Sequence, residues 1–278
     1  MSEASTSPLT LIRPARRSGL PDFGELWRFR DLAAILAWRD VKVRYKQSLI
    51  GIAWAVLQPF LTMVVFTLIF GKFANLPSAG LPYPVFAMLN LVPWTFTAAV
   101  FTATAGCVLA NRALVQKVHF PLLLLPLACI LVPLVDFIFS FVVALGITAW
   151  YDVTIRPTIV LVPLFLLMLA MTSIGLGSFL AVINVRYRDV PYAVPYLVQL
   201  WLFASGVIYA ANALPEQYMT IASLNPAIAG ISGFRWAVTG TPPPTTTMLV
   251  LGSVMTVIIF FFGLWFYRRA ESRFADTI

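Results

Sequence analysis

Charged side chains are scarce in this sequence. They make up only 11% of the 278 residues, against 60% hydrophobic residues and a mean hydropathy of +0.88. A soluble domain of this size is about 45–50% apolar and about 25% charged. Too few polar side chains remain to cover a water-exposed surface, so the composition excludes an ordinary soluble globular domain.

Side chains that commonly carry catalysis or bind metals are also few. The chain has one histidine, His119, and two cysteines, Cys107 and Cys129, which lie in or beside apolar runs and are expected to pack without a disulfide. No Cys, His or carboxylate cluster has the spacing of a metal site. No Gly-x4-Gly-Lys-Ser/Thr loop is present to cradle ATP phosphates. The small residues 175–178, GLGS, are expected to form a helix contact instead of a nucleophile loop.

Long apolar runs dominate the rest of the chain. A membrane-spanning helix needs about 20 mostly apolar residues. Six segments approach or exceed this length: 49–70, 85–109, 122–150, 158–182, 193–211 and 248–267. The pattern predicts an all-α membrane protein with six transmembrane helices, which form a permease domain over 49–267.

The distribution of lysine and arginine predicts the orientation. If the N-terminus is inside, all but three of the 19 cationic residues fall in inner segments, the exceptions being Lys72, Arg156 and Arg235. Because cytoplasmic loops carry the excess of Lys and Arg, both termini are predicted to be cytoplasmic.

The first 48 residues predict two different structures. Residues 1–22 are rich in Ser, Thr, Pro and Arg and predict a disordered cytoplasmic tail, and 268–278 predict a second cytoplasmic tail. Residues 23–48 predict an amphipathic helix lying in the membrane interface, with a solvated helix as the alternative. Its cationic stripe lies between two apolar stripes, one of Leu32, Leu36 and Val43 and the other of Trp38, Val41 and Tyr45.

The stretch between the fifth and sixth predicted spans, 213–244, is too polar for a full span and too apolar for a wet loop. Short apolar helices separated by Asn225-Pro226 and by Gly230 would fit a re-entrant hairpin that dips into the outer leaflet. Non-helical backbone at that depth must be covered by protein or line a cavity. A flap lying on the membrane surface is the alternative.

Asp136 is the single acidic residue deep within a predicted span. An intramembrane carboxylate is a functional candidate by default, but a proton-coupled carrier normally has several such groups or broken helices in matched halves. A structural hydrogen bond or a helix-cap role is therefore favoured over ion coupling. With no ATPase motif and no ion relay, the energy source is expected on a partner.

Four motifs resemble a known family. The stretch 39–48, RDVKVRYKQS, leads into Gly51, Trp54 and Pro59. Then come NR at 111–112 with Lys117 and FP at 120–121, NVRYRD at 184–189, and LNP at 224–226 with GFRW at 233–236. In order and spacing, over about residues 25–270, the chain resembles the permeases of type-2 ABC exporters for polysaccharides, which include O-antigen, teichoic acid and capsule export permeases.

This resemblance implies a membrane subunit and not an enzyme. It implies a homodimer in the bacterial inner (cytoplasmic) membrane, with two copies of a cytoplasmic ABC ATPase subunit that carries the ATP and Mg, and no cofactor on this chain. The cargo would be an O-antigen-like lipid-linked glycan moved from the cytoplasm to the outer face. Membrane lipids are the other expected partner of the cations, and nucleic acid is not expected.

The resemblance also implies roles for particular residues. The substrate headgroup and lateral gate would be formed by Arg39, Lys42, Arg44, Tyr45 and Lys46. Coupling to the ATPase would involve Asn111, Arg112, Lys117, His119, Phe120 and Pro121. The exit gate would include Asn225, Pro226, Arg235 and Trp236. Aromatic faces can stack on sliding sugar rings, and the candidates in spans one and five are Phe60, Phe66, Trp201 and Phe203.

Other functions stay open from the sequence. A small-molecule or drug exporter of the same fold is the runner-up, although the long interfacial helix favours a lipid-linked cargo. An intramembrane glycolipid enzyme would need paired carboxylates or a His–Ser set, and only Asp136 is available. A channel or carrier that works without an ATPase is the remaining class.

Overall fold

The computed structural model of the chain describes residues 23–46, 53–118, 120–187, 189–210 and 215–277. The predicted tail 1–22, the start of the first predicted span and His119 lie outside the described residues. Within them, all regular structure is helical. The predicted all-α class is therefore confirmed.

Twelve α-helices occur in the described part of the chain. They are α1 Phe23–Arg28, α2 Arg30–Lys46, α3 Ala53–Phe66, α4 Tyr83–Ala110, α5 Arg112–Lys117, α6 Leu124–Ala128, α7 Leu131–Trp150, α8 Val162–Arg186, α9 Val190–Ala204, α10 Glu216–Ser223, α11 Pro226–Thr239 and α12 Thr246–Thr277. A π-helical segment, Thr67–Phe73, extends α3, and a 3-10 turn, Pro157–Leu161, leads into α8.

Five helical stretches are long and apolar enough to cross a membrane. They are Ala53–Phe73, Tyr83–Ala110, Leu124–Trp150, Pro157–Arg186 and Thr246–Glu271, and they coincide with the first four predicted spans and the sixth. The fifth predicted span contains the shorter helix α9, which has 15 residues and ends before the turn at Gly206. At 1.5 Å per residue it extends only about 22 Å.

Helix α4 is the centre of the fold. Of its most apolar 18-residue window, 78% is buried, compared with 11% for the stretch that begins with α3. α4 packs against α3, α7, α8 and α11. Exposed side chains on α3 and its π-helical extension include Trp54, Leu61, Val65 and Leu68.

Glycines permit the closest helix contacts of α8, as expected for 175–178. A Cβ atom at Gly175 would lie 2.5 Å from the Ile259 carbonyl oxygen of α12. A Cβ at Gly177 would lie 2.6 Å from Cβ of Thr104 on α4. The prediction of a small-residue helix contact is confirmed, because any side chain at these positions would push the helices apart.

Helices α10 and α11 occupy most of the predicted hairpin. The predicted break at Asn225-Pro226 is confirmed, since α10 ends at Ser223 and α11 begins at Pro226. The predicted break at Gly230 is wrong, because α11 continues through it. A Cβ there would lie 2.7 Å from Cδ2 of Leu169, so this glycine serves close packing of α11 on α8.

Candidate functional site

Helix α2 places one side on the protein and leaves another side open. Leu36 and Ala37 are buried, and Leu32 packs partly against the core. Val43, predicted on the same apolar stripe as Leu36, is 68% exposed, so it lies outside the buried contact that Leu36 makes. Helical periodicity predicts which side Val43 lies on, but not how far along the helix its packing neighbours extend.

The open side of α2 forms a cationic groove. A cavity of about 420 Å³ is lined by Ile35, Trp38, Arg39, Lys42, Val43 and Lys46. The Lys42 ammonium lies 5.8 Å from the centroid of the Trp38 ring, within the range of a cation–π interaction. Among the described residues, no carboxylate forms a salt bridge with Lys42 or Lys46. The groove therefore offers cations beside apolar surface, which suits an amphipathic anion.

Arg44 and Tyr45 make a different contact, with the acidic residue of α7. The Arg44 Nη2 atom lies 2.6 Å from Asp136 Oδ2, and the Tyr45 hydroxyl donates a hydrogen bond to Asp136 Oδ1. Burial, reinforced by this carboxylate, raises the pKa of the Tyr45 phenol above its ordinary value. The phenol therefore remains a donor. The structural hydrogen bond expected for Asp136 is confirmed.

Arg39 is also engaged by the protein. Its guanidinium pairs with Asp40 at 2.7 Å and donates to the side-chain oxygen of Asn111 at 2.7 Å. Of the five residues predicted for the headgroup site, Arg39, Arg44 and Tyr45 thus have protein partners. Trp38 was missed as a groove residue, although its spacing of four from Lys42 placed the two on one side of a helix.

The predicted coupling residues surround the short helix α5. Arg112 and Lys117 are exposed, whereas Val115 and Phe120 are buried and Pro121 is half-buried. The next residue, Leu122, is held by α12 on both its backbone groups: its N–H donates to Glu271 at 2.6 Å, and its carbonyl accepts from the Tyr267 hydroxyl at 3.2 Å. The result is an exposed cationic helix fixed to the rest of the fold.

The four predicted channel aromatics divide into two groups. Phe60 and Phe203 are exposed. The Phe66 ring packs edge-on against Phe70 at 5.3 Å, and Trp201 packs edge-on against Trp94 at 5.5 Å.

Two exposed tyrosines of α9 were missed. Tyr192 and Tyr196 precede Phe203 by eleven and seven positions and are 84% and 63% exposed. The helical spacing of four and seven was the signal that places all three on one side of α9.

The predicted exit-gate residues lie inside the fold. The side chain of Asn225 accepts from the Ala227 N–H at 3.1 Å and so caps α11, where Pro226 is the first residue. The same side chain accepts from the Trp201 indole at 3.3 Å and donates to the Ala204 carbonyl at 2.7 Å. Trp236 is half-buried, with its ring edge-on to another ring of the core.

Arg235 of α11 is a buried cation, with 4% of the residue exposed. Its Nη1 atom donates to Asn90 Oδ1 at 3.0 Å, and its guanidinium carbon lies 4.9 Å from the Phe86 ring centroid. Its Nε atom is buried and has no hydrogen-bond partner within the part of the chain that the structure describes. No carboxylate of the described residues forms a salt bridge with it.

The fold and this site together define a multi-pass helical membrane protein. It carries a cationic groove on the helix before its first span and an exposed cationic helix between its second and third spans. The model of the ABC-2 type transporter family matches residues 32–239, which is most of the chain. The chain belongs to this family, so its class is a transporter membrane subunit.

Curated relatives agree with this family. The chain is 29% identical over 215 residues to the O-antigen export system permease protein RfbA of Myxococcus xanthus, covering 76% of this chain and 81% of the relative. It is 26% identical over 206 residues to an RfbA of Klebsiella pneumoniae, covering 74% and 79%. It is 22% identical over 204 residues to the polysialic acid transport protein KpsM of Escherichia coli, covering 72% and 78%.

Proposed function

We propose that the chain is the permease subunit of an ATP-driven exporter of lipid-linked polysaccharide. The cargo is O-antigen-like and moves from the cytoplasm to the outer face of the bacterial inner membrane. The observation that carries the proposal is the similarity, over about three quarters of the chain, to permeases named for polysaccharide export. ATP and Mg act on a separate ATPase subunit, and no site for them is assigned to this chain.

In the proposed topology, both termini are cytoplasmic and α2 lies in the inner membrane interface. The asymmetric distribution of Lys and Arg supports this orientation. Helix α9 and the segment after it make the fifth of six crossings. Helices α10 and α11 form a re-entrant hairpin from the outer side. The burial of nearly every residue of α11 supports this placement, since a broken helix at membrane depth must be covered by protein.

The proposed assembly is a homodimer with two ATPase subunits. The poorly buried surface of α3 and the aromatic side of α9 support it, because the described residues leave both surfaces largely uncovered. In the dimer these surfaces line the channel. Phe60, Tyr192, Tyr196 and Phe203 then offer ring faces to the passing sugar.

The glycan's anionic phosphate headgroup binds at the groove of α2. Lys42 and Lys46 supply positive charge that no carboxylate of the described residues pairs with, and Trp38 supplies an apolar ring. The same geometry assigns Arg44 and Tyr45 to the protein contact with Asp136. Ammonium groups bind phosphate as compact point charges, which suits a headgroup that enters from the lipid.

Charge reversal tests the groove. We expect the double variant Lys42→Glu and Lys46→Glu to lose surface polysaccharide while the permease still assembles with its ATPase. The matched control is Arg28→Glu with Arg30→Glu, which reverses two exposed charges on the same segment outside the groove and should export normally. Normal export by the groove variant would remove the headgroup site.

Deletion of the gene tests the function as a whole. Cells without the chain should accumulate lipid-linked polysaccharide that a glycan-specific label reaches only after permeabilisation. Expression of the wild-type chain should return the label to intact cells. If deletion changes drug sensitivity and leaves surface polysaccharide intact, the cargo is a small molecule and the proposal is wrong.

A further inference from the structure

Both oxygens of the Asp136 carboxylate are bound by residues from a single turn of α2. One oxygen accepts from the Tyr45 hydroxyl and the other pairs with Arg44 at 2.6 Å. The exposed fractions of the two ion-pair side chains differ, at 16% for Asp136 and 53% for Arg44. The anion is therefore the more buried member of the pair, within a helix that is otherwise almost entirely apolar.

Burial makes this contact difficult to break. An ionised carboxylate removed from water is costly unless it is paired and hydrogen-bonded. Removing one partner of such a pair leaves an uncompensated charge. Withdrawal of Arg44 and Tyr45 would leave Asp136 without either of its partners among the described residues, so the end of α2 stays on α7.

The contact also fixes the rotation of α2. Consecutive residues of a helix project about 100° apart, so Arg44 and Tyr45 hold Asp136 from two directions. A helix held at one point can roll about its axis, whereas this grip at two adjacent positions opposes rolling. The groove residues Trp38, Lys42 and Lys46 belong to the same helix. The contact of Arg44 and Tyr45 with Asp136 therefore also fixes the direction in which the groove faces.

The same side of α7 also holds α3. Ser140 lies one turn after Asp136 and donates a hydrogen bond of 2.7 Å to the carbonyl of Ala55 near the start of α3. Helix α7 therefore contacts the chain on both sides of the connection between α2 and the first span. This arrangement makes α7 the support on which the entrance helix is oriented.

We propose that Asp136 is a positioning residue for substrate entry. Its carboxylate holds Arg44 and Tyr45 so that the lysine groove of α2 faces the incoming phosphate headgroup. This inference deepens the proposed function and rests on it for the identity of the ligand. Asp136 itself touches no substrate, and Arg44 acts as its partner and not as a headgroup ligand.

The first test needs no substrate and measures how firmly Asp136 holds the end of α2. We call the contact of Asp136 with Arg44 and Tyr45 the anchor. Hydrogen–deuterium exchange is followed over residues 30–46 of the full chain, with its ATPase subunit, in nanodiscs. We expect Asp136→Asn to increase exchange at the end of α2 and Asp136→Glu to retain most of the protection. The matched control is Asp31→Asn, which removes an exposed carboxylate 3.7 Å from Arg30 on the same helix and should change nothing at its end. Unchanged exchange in Asp136→Asn would overturn the anchor.

The second test separates positioning from general damage. ATPase activity of the same complexes is titrated with a polyprenyl pyrophosphate that bears a short glycan. We expect Asp136→Asn to raise the apparent KM about tenfold, the scale of a lost charged hydrogen bond, with the maximal rate retained. A fall in the maximal rate with an unchanged KM would contradict a positioning role.

A charge swap provides the decisive variant. Arg44→Asp combined with Asp136→Arg keeps an ion pair at the same place but moves the cation to α7. If the pair is an anchor, the swap should restore the KM toward that of the wild type. If Arg44 itself binds the headgroup, the swap stays as defective as Arg44→Asp alone, and the proposal is wrong.

Two control arms separate the possible sources of the phosphate group. Inorganic pyrophosphate and vesicles rich in anionic phospholipid should each fail to reproduce the KM difference between wild type and Asp136→Asn. If either probe reproduces this KM difference, the groove binds free phosphate or the anionic membrane surface. That result would overturn the assignment to substrate entry. A failed response of the lysine variants to the lipid-linked probe, with the exchange result intact, would instead locate the error in the proposed function.

Discussion

The guanidinium of Arg39 donates a hydrogen bond of 2.7 Å to the side-chain oxygen of Asn111, 72 positions later in the chain. Asn111 is the residue between α4 and α5, and its own amide donates to the Cys107 carbonyl at 2.9 Å, which fixes the side chain. Helix α2 therefore touches the beginning of α5 directly. This contact is a direct link between the start of α5 and the helix that carries the groove.

Removal of this contact should weaken coupling. We expect Asn111→Ala to reduce the stimulation of ATPase activity by lipid-linked glycan about tenfold, because a charged hydrogen bond contributes about 1.5–3 kcal/mol. The measurement compares stimulated and basal ATPase rates of the reconstituted complex. Asp40→Asn is the matched control, since it removes the other partner of Arg39 and leaves the contact with Asn111. Equal effects of the two variants would contradict a specific role of Asn111.

Charge reversal on α5 should prevent docking of the ATPase. Arg112 and Lys117 are exposed and form no salt bridge among the described residues, so they are available to a partner. We expect Arg112→Glu with Lys117→Glu to abolish co-purification of the ATPase subunit while membrane insertion is normal. Arg186→Glu, on a different exposed segment, is the control that should co-purify normally. Normal co-purification of the α5 variant would count against the coupling role.

The glycine contacts predict different effects on stability for two similar substitutions. Gly177→Ala should lower the stability by about 1–3 kcal/mol, as expected when a well-packed contact is overfilled, because its Cβ would lie 2.6 Å from Cβ of Thr104. Gly106→Ala on α4 meets no atom within 4 Å and should be neutral or gain up to about 1 kcal/mol from helix propensity. Thermal unfolding in detergent compares the two. Equal destabilisation would contradict the packing described for α8.

Arg235 offers a test of the exit gate that separates stability from function. Replacing both partners of a buried hydrogen bond by apolar groups of similar shape can be nearly neutral or stabilising. We expect Arg235→Met with Asn90→Leu, which removes both hydrogen-bonding partners, to unfold at an equal or higher temperature than the wild type. Surface polysaccharide should nevertheless fall, since a charge kept at such cost in a membrane protein is expected to serve function. Full export by this variant would remove Arg235 from the gate.

The sequence predicted the long apolar helices well. Their length and composition are local properties, so five of the predicted spans appear as helices close to their expected bounds. Asn225-Pro226 was identified as a helix break because proline and the cap residue act locally. The prediction for Gly230 was wrong because a single sequence does not distinguish the two roles of a glycine. It can break a helix, or it can allow close packing, as Gly230 does against Leu169.

Contacts between side chains that are distant in the chain could not be predicted from the sequence. The type of role for Asp136 was predicted, but not its partners, because Arg44 and Tyr45 come from a helix about 90 positions earlier. The same limit explains why the four cations over residues 39–46 were all predicted to bind the headgroup. Only the fold separates Lys42 and Lys46, which form no salt bridge among the described residues, from Arg39 and Arg44, which pair with Asp40 and Asp136.

Transport by the purified chain is the most direct test of the central claim. Liposomes are prepared with the chain alone, with the chain and its ATPase subunit, and with the ATPase subunit alone, each with glycan linked to its lipid on the ATP-accessible side. We expect glycan to reach the opposite face only when both subunits and ATP are present. Translocation by the chain alone, or modification of the glycan without the partner, would contradict it.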